Sequence, residues 1–172
     1  MVTLPGAAAL PADPGNLPAG NRTELSAARL CLLREARQRI AIQLPWLATD
    51  LYASAEELAE LRRIAIAGRG AEIRILLHQP TAALRDDHRL IALTRRLPSV
   101  VQVRTPLEEH DLALTSAWLL TDAGGYLYQP DTGVPHGRAA RCDRAAQAPL
   151  QRLFDERWER AQPATILQAL GI

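Results

Sequence analysis

Three short segments with strand character, residues 39–44, 72–78 and 100–104, are separated by stretches with helical spacing. This alternation constrains the fold more than any other feature of the sequence, because a crossover long enough to hold a helix joins parallel strands with a right-handed connection. R-I-A-I-Q-L alternates Ile40, Ile42 and Leu44. E-I-R-I-L-L-H ends in a nearly continuous apolar run, which suits a strand covered on both faces. A first helix is expected from about Thr23, with Leu25, Ala28, Leu32 and Ala36 at helical spacing. A second begins at Ser54, which has capping-box spacing to Glu57, and stops at Gly68 and Gly70. A third begins at Pro80-Thr81, carries Leu84, Ile91 and Leu97 as its core stripe, and ends at Pro98.

The alternation then stops. Residues 113–130, A-L-T-S-A-W-L-L-T-D-A-G-G-Y-L-Y-Q-P, read as a buried strand, a tight turn at Gly124-Gly125 and a short return strand. A loop rich in Gly and Pro runs to about Gly137, and R-A-A-R-C reads as a weak edge strand. A closing helix is expected over 145–161, with Leu150, Leu153, Phe154 and Trp158 as its apolar stripe and Pro163 after its end. The expected class is α/β: a mixed β-sheet sandwiched by helices, βαβαβ followed by a β-hairpin and a C-terminal helix. Residues 1–21, rich in Pro, Gly and Ala, are expected to form a flexible tail, and 22–172 the domain.

Composition narrows the chemistry. The 172 residues suffice for one domain with a real core, and 48% are apolar. The net charge of +1 gives no global field toward nucleic acid or membrane. All 20 basic residues are Arg, so a Schiff base, a phosphate-loop lysine and a catalytic side-chain ammonium are excluded. Cys31 and Cys142 match no ligand spacing and suit a reducing cytosol. The N-terminal segment lacks the basic start and continuous apolar core of a secretory signal, and no apolar run is long enough to span a bilayer. A cytoplasmic location is the expectation.

The order and spacing of R-R-I-A-I-A-G-R-G-A-E-I-R-I-L-L, D-H-R-L-I-A-L-T-R-R-L-P-S, A-W-L-L-T-D-A-G-G-Y-L-Y and L-F-D-E-R-W-E-R resemble one half of a phospholipase D-like fold. The resemblance spans roughly residues 23–162 and points to an uncharacterised bacterial family, some of whose members follow an acetyltransferase domain. Active members of the superfamily carry a His-x-Lys-x4-Asp motif on the hairpin. There the His attacks phosphorus and a second His protonates the leaving oxygen. The Lys neutralises the phosphoryl charge and the Asp supports an imidazole. One active site takes two copies of the motif, which implies tandem halves or a homodimer.

Two registers of that motif fit this chain. Fold context aligns the His with Thr115, the Lys with Ala117 and the Asp with Asp122, so only the Asp matches. The second register, His136-x-Arg138-x4-Asp143, keeps the spacing with Arg in place of Lys. Against it, Asp143 leads straight into a helix, and Gly137 with two Ala gives little strand character; the alternative is a polar loop feeding a capped helix.

Other residues have a functional and a plain structural reading. His78 lies just past the best strand, where ligands bind in open α/β sheets, or is a half-buried His bonded to loop backbone. Arg89, with Arg95 and Arg96, belongs to an anion site or to a solvated face. E-E-H-D, residues 108–111, gathers three carboxylates and an imidazole, but consecutive residues rarely chelate one ion alone, so a solvated loop is expected. Trp46, Trp118 and Trp158 read as core, Arg74 as paired with a carboxylate or reaching an edge, and Arg152, Arg157 and Arg160 as a salt-bridge-laced helix surface. The reading that follows is a non-catalytic phospholipase D-like domain: a binding or regulatory module without metal or cofactor, keeping at most a weak anion site near His78 and Asp122. Its partners would be a second copy, an acetyltransferase domain or another protein. The alternative is a dimeric phosphodiesterase or phosphatidyl-transfer enzyme built on His136, Arg138 and Asp143.

Overall fold

A computed structural model describes residues 15–168. Its element order is β1 (Asn16–Leu17), α1 (Arg22–Glu35), β2 (Arg39–Leu44), α2 (Ala55–Ala65), β3 (Glu72–Leu77), α3 (Pro80–Arg85), α4 (Arg89–Arg96), β4 (Val101–Thr105), α5 (Glu109–Leu112), β5 (Ala117–Thr121), β6 (Tyr126–Gln129), β7 (Arg138–Ala140), α6 (Arg144–Arg160), β8 (Gln162–Pro163) and α7 (Thr165–Gln168). One eight-stranded sheet runs in the order β1-β7-β6-β5-β2-β3-β4-β8. β2, β3 and β4 are parallel; every other pairing is antiparallel. The expected mixed α/β sheet, with βαβαβ leading into a hairpin and a closing helix, is the observed architecture.

Side-chain alternation splits the sheet into two faces. Ile40, Ile42, Ile73, Ile75, Val101, Val103, Leu119 and Leu127 pack in the larger core with Leu25, Leu32, Leu33, Leu61 and Ile64 of α1 and α2, and with Leu90 and Ile91 of α4. Ala41, Leu76, Trp118, Leu120 and Tyr126 face α6, whose Phe154 and Trp158 stack at 5.7 Å between ring centroids. Ser54 and Glu57 form the expected reciprocal capping box on α2. Arg74 pairs with Glu72 as expected.

Several local expectations are corrected. Asn21, not Thr23, caps α1, accepting the Glu24 N–H at 2.9 Å. The third helix is two helices. The apolar stripe continues across the break, but Asp87 adopts φ 50° and His88 restarts the helix by accepting the Leu90 N–H. R-A-A is not an edge strand, because β1 pairs outside it, Asn16 opposite Ala140 and Leu17 opposite Ala139. Residues 15–21 therefore lie against the domain: the Gly137 N–H donates to the Ala19 carbonyl at 2.7 Å, and Ala19 is buried. The part of the expected tail that falls on 1–14 lies outside the described residues. Trp46 is 49% exposed rather than core, because it follows Pro45 onto the loop beyond β2.

Candidate functional site

The directions of the strands decide where the motif positions fall. β5 runs against β2, so its start lies at the carboxyl ends of the three parallel strands and its end at their amino ends. Thr115 and Ala117 are therefore at the carboxyl edge and Asp122 at the amino edge. Thr115 is exposed, and its carbonyl accepts the Thr132 N–H at 2.9 Å. Ala117 is buried and lines a cavity of about 440 Å³ on the α1 side of the sheet. Asp122 accepts backbone N–H bonds from Arg37 at 2.8 Å, Gln38 at 2.9 Å and Arg39 at 3.2 Å. Burial raises the pKa of this carboxyl, but the backbone donors outweigh it and hold it below the usual carboxylate range. The expected joint pocket of His78 and Asp122 does not form, because the two stand at opposite ends of the sheet.

His78 faces α6. Gln43 Nε2 lies 2.9 Å from His78 Nε2. A neutral imidazole can accept from the Gln43 amide at this nitrogen while its other nitrogen carries the proton. Burial is the main cause that pushes the His78 pKa down; the nearby Arg157 adds to it, while a hydrogen bond to the Leu112 backbone and the Asp111 charge oppose it. Behind this pair lies an ionic group that the sequence did not disclose. Asp111, expected in a solvated loop, is 2% exposed. It accepts Arg160 Nη2 at 3.0 Å, and Arg157 Nε is 3.5 Å away. Arg157 is buried rather than part of a helix surface, and its guanidinium lies 5.2 Å from the Trp118 ring centroid. Burial pushes the Arg157 pKa down and Asp111 opposes that shift. Among the described residues, Gln43 Oε1, Trp118 Nε1 and Arg157 Nη1 are buried without a hydrogen-bond partner. The sequence shows the members of the group, the acidic run 108–111 and the basic residues at helical spacing near the end of α6, but not that they pair.

The other named candidates are scattered. Arg89 is exposed at the first turn of α4, whose buried side chains join the core on the face away from α6, so it does not meet His78. His136 is exposed in the loop before β7, and Arg138 stands at the start of β7 with its guanidinium 5.7 Å from the Tyr128 ring centroid. Asp143 caps α6, accepting the Ala146 N–H at 3.0 Å, at the other end of β7. Asp143, bonded through its N–H to the Gly124 carbonyl, is thereby separated from Arg138, which pairs with Tyr128. Gly137 lies tight against β6: a Cβ there would sit 2.4 Å from the Tyr128 carbonyl oxygen. No three His, Cys, Asp or Glu side chains among the described residues are grouped to hold a metal ion.

A second cavity, of about 400 Å³, opens at the amino edge and is lined by Arg39, Arg74, Asp122, Arg144 and Gln147 among others. The carboxyl edge has a different character. Trp46, Leu107 and Val134 on loops, and Leu112 at the end of α5, are exposed at that edge. No helix among the described residues is long and apolar enough to cross a membrane.

This sheet order, with the hairpin strand beside β2 and a closing helix over it, is the fold of phospholipase D-like proteins. Nuc from Salmonella typhimurium, a phospholipase D family member, shares it with a TM-score of 0.57 at 11% identity, over 87% of this chain and 94% of Nuc. The chain belongs to the family described as a domain of unknown function, DUF7931, which matches residues 21–170. TrmBL2, an archaeal chromatin protein whose structure shows a novel mode of DNA binding, is similar with a TM-score of 0.57 at 15% identity, over 83% of this chain. The chain spans about half of TrmBL2, 52% of its length. At these identities the likenesses are of fold. A comparison with curated proteins finds no match.

Proposed function

We propose that the chain is a non-catalytic phospholipase D-like domain that serves as a binding module, its working surface the carboxyl edge of the sheet. One observation supports this reading: Thr115 and Ala117, which the resemblance aligns with the superfamily's nucleophile and cation, stand at that edge. A Thr hydroxyl is a poor nucleophile unless a base activates it, and the Ala117 methyl offers no charge to a phosphoryl group. Asp122, the one matching residue, is engaged by backbone at the far edge. A weak anion site at the His78 end would draw its charge from Arg157 and Arg160, since the His78 ring is neutral and Arg89 stands apart. A partner, whether a second copy or an acetyltransferase domain, would meet the exposed apolar side chains of the carboxyl rim, and the module would work in the cytoplasm.

Hydrolysis of bis(p-nitrophenyl) phosphate by the purified chain tests the reading. No turnover above the buffer rate is expected. Turnover that His136→Ala abolishes would overturn it in favour of a dimeric phosphodiesterase built on His136, Arg138 and Asp143. The likeness to a DNA-binding protein is tested beside it by gel retardation of duplex DNA. With a net charge of +1, no salt-sensitive retardation is expected.

A further inference from the structure

The cavity beside Ala117 has the size and lining of a small-molecule site. Its floor is apolar, made by Leu44, Leu119 and Leu127 with the Ala117 methyl. A longer side chain at 117 would fill it. Trp46 stands at its lip and is 49% exposed, whereas Trp118 and Trp158 are 3% and 2% exposed. An exposed indole next to an apolar hollow offers a flat face for stacking.

The wall opposite is held by paired side chains. Arg29 is held by the buried carboxylate of Glu57 and by Ser26 Oγ at 3.3 Å, and its guanidinium lies 5.3 Å from the Tyr52 ring centroid. Tyr52 is buried at φ 53°, a conformation that an aromatic residue keeps only when its surroundings impose it. Charge in and behind the lining balances: Arg22 and Arg29 are set against Asp50 and Glu57. The hollow therefore selects for shape and apolar surface rather than for a strong anion.

We propose that this cavity binds a small, uncharged aromatic or heteroaromatic molecule. Its ring rests on the leucine floor against Trp46, and its polar edge meets Ser26, Arg29 and Gln129. The proposal rests on the non-catalytic reading, because it gives the space beside Ala117 to a ligand ring instead of a catalytic side chain.

Saturation-transfer NMR with indole and with adenosine tests it on the full chain. At least one probe is expected to bind, and Trp46→Ala and Ala117→Leu are each expected to weaken that binding by about tenfold or more, roughly 1.4 kcal/mol. Trp46 is exposed, so its variant tests binding even where Ala117→Leu disturbs folding. Absence of binding by both probes, or equal binding by the parent chain and Trp46→Ala, would overturn the proposal. Bis(p-nitrophenyl) phosphate turnover is measured on the same samples. Neither turnover nor binding removes the aromatic site alone, whereas turnover removes the non-catalytic reading beneath it.

Discussion

Asp122 Oδ2 accepts the backbone N–H of Gln38 at 2.9 Å, tying the hairpin turn to the entry of β2. With the bonds from Arg37 and Arg39, one carboxylate organises the start of the central strand. Asp122→Ala strands those donors and is expected to cost about 2–3 kcal/mol in urea denaturation. It leaves ligand binding at the opposite edge unchanged. Since the folded-state pKa lies below the unfolded value, the stabilisation is complete above the unfolded pKa and is lost as pH falls through the folded one. Urea midpoints of the parent chain should therefore drop below about pH 4, and those of the variant should drop less.

Asp111→Ala leaves Arg157 buried without the carboxylate that faces its guanidinium. A broken buried pair costs about 3–5 kcal/mol, much more than an exposed one. Arg157→Met, which removes the charge and keeps the apolar stem against Trp118, is expected to cost less than Asp111→Ala. Equal losses in chemical denaturation would mean that the pair adds nothing beyond packing.

His78 is neutral in the folded chain, and its pKa is pushed below the ordinary value. The unfolded chain takes up the proton first, so folded-state stability is complete above about pH 6.5 and falls as pH drops through the folded pKa. The His88 pKa is lowered in the same way, by burial first. His78→Gln should flatten part of the acid limb of a stability profile between pH 7.5 and 5, and His88→Gln the rest. A two-dimensional NMR titration should show the His78 ring less protonated than a free imidazole at the same pH.

Gly137→Ala places a methyl group against the Tyr128 carbonyl. Backbone cannot yield as a flexible side chain does, so the end of β7 must move away from β6. A loss of about 1–3 kcal/mol is expected, with faster amide exchange at Arg138, whose strand pairs with Tyr128.

The elements that show a regular period were readable before any coordinates. Glu72–Leu77 is continuous enough to announce a buried strand, and the Ser54–Glu57 spacing marked the start of α2. The break between α3 and α4 was hidden because Leu84 and Ile91 keep helical spacing across it, and nothing in Asp86-Asp87 forbids helix. β1 was hidden because a two-residue strand has no period to detect. In the candidate site, the position of His78 at the carboxyl edge followed from the order of elements. The pairing of Asp111 with Arg157 and Arg160 did not, since local sequence carries no sign of a long-range charge pair. Nor did the separation of Asp122 from His78, which depends on strand direction rather than on residue type.

The sheet's last described strands are two residues each, β1 at one side and β8 at the other. Pro163 in β8 has no N–H to offer a neighbouring chain, and short borders of this kind discourage strand addition. Growth of the sheet from one molecule into the next is thus disfavoured on the β8 side. With the carboxyl rim as the working surface proposed above, partner choice can change through a few rim side chains while the hydrogen-bonded scaffold stays untouched.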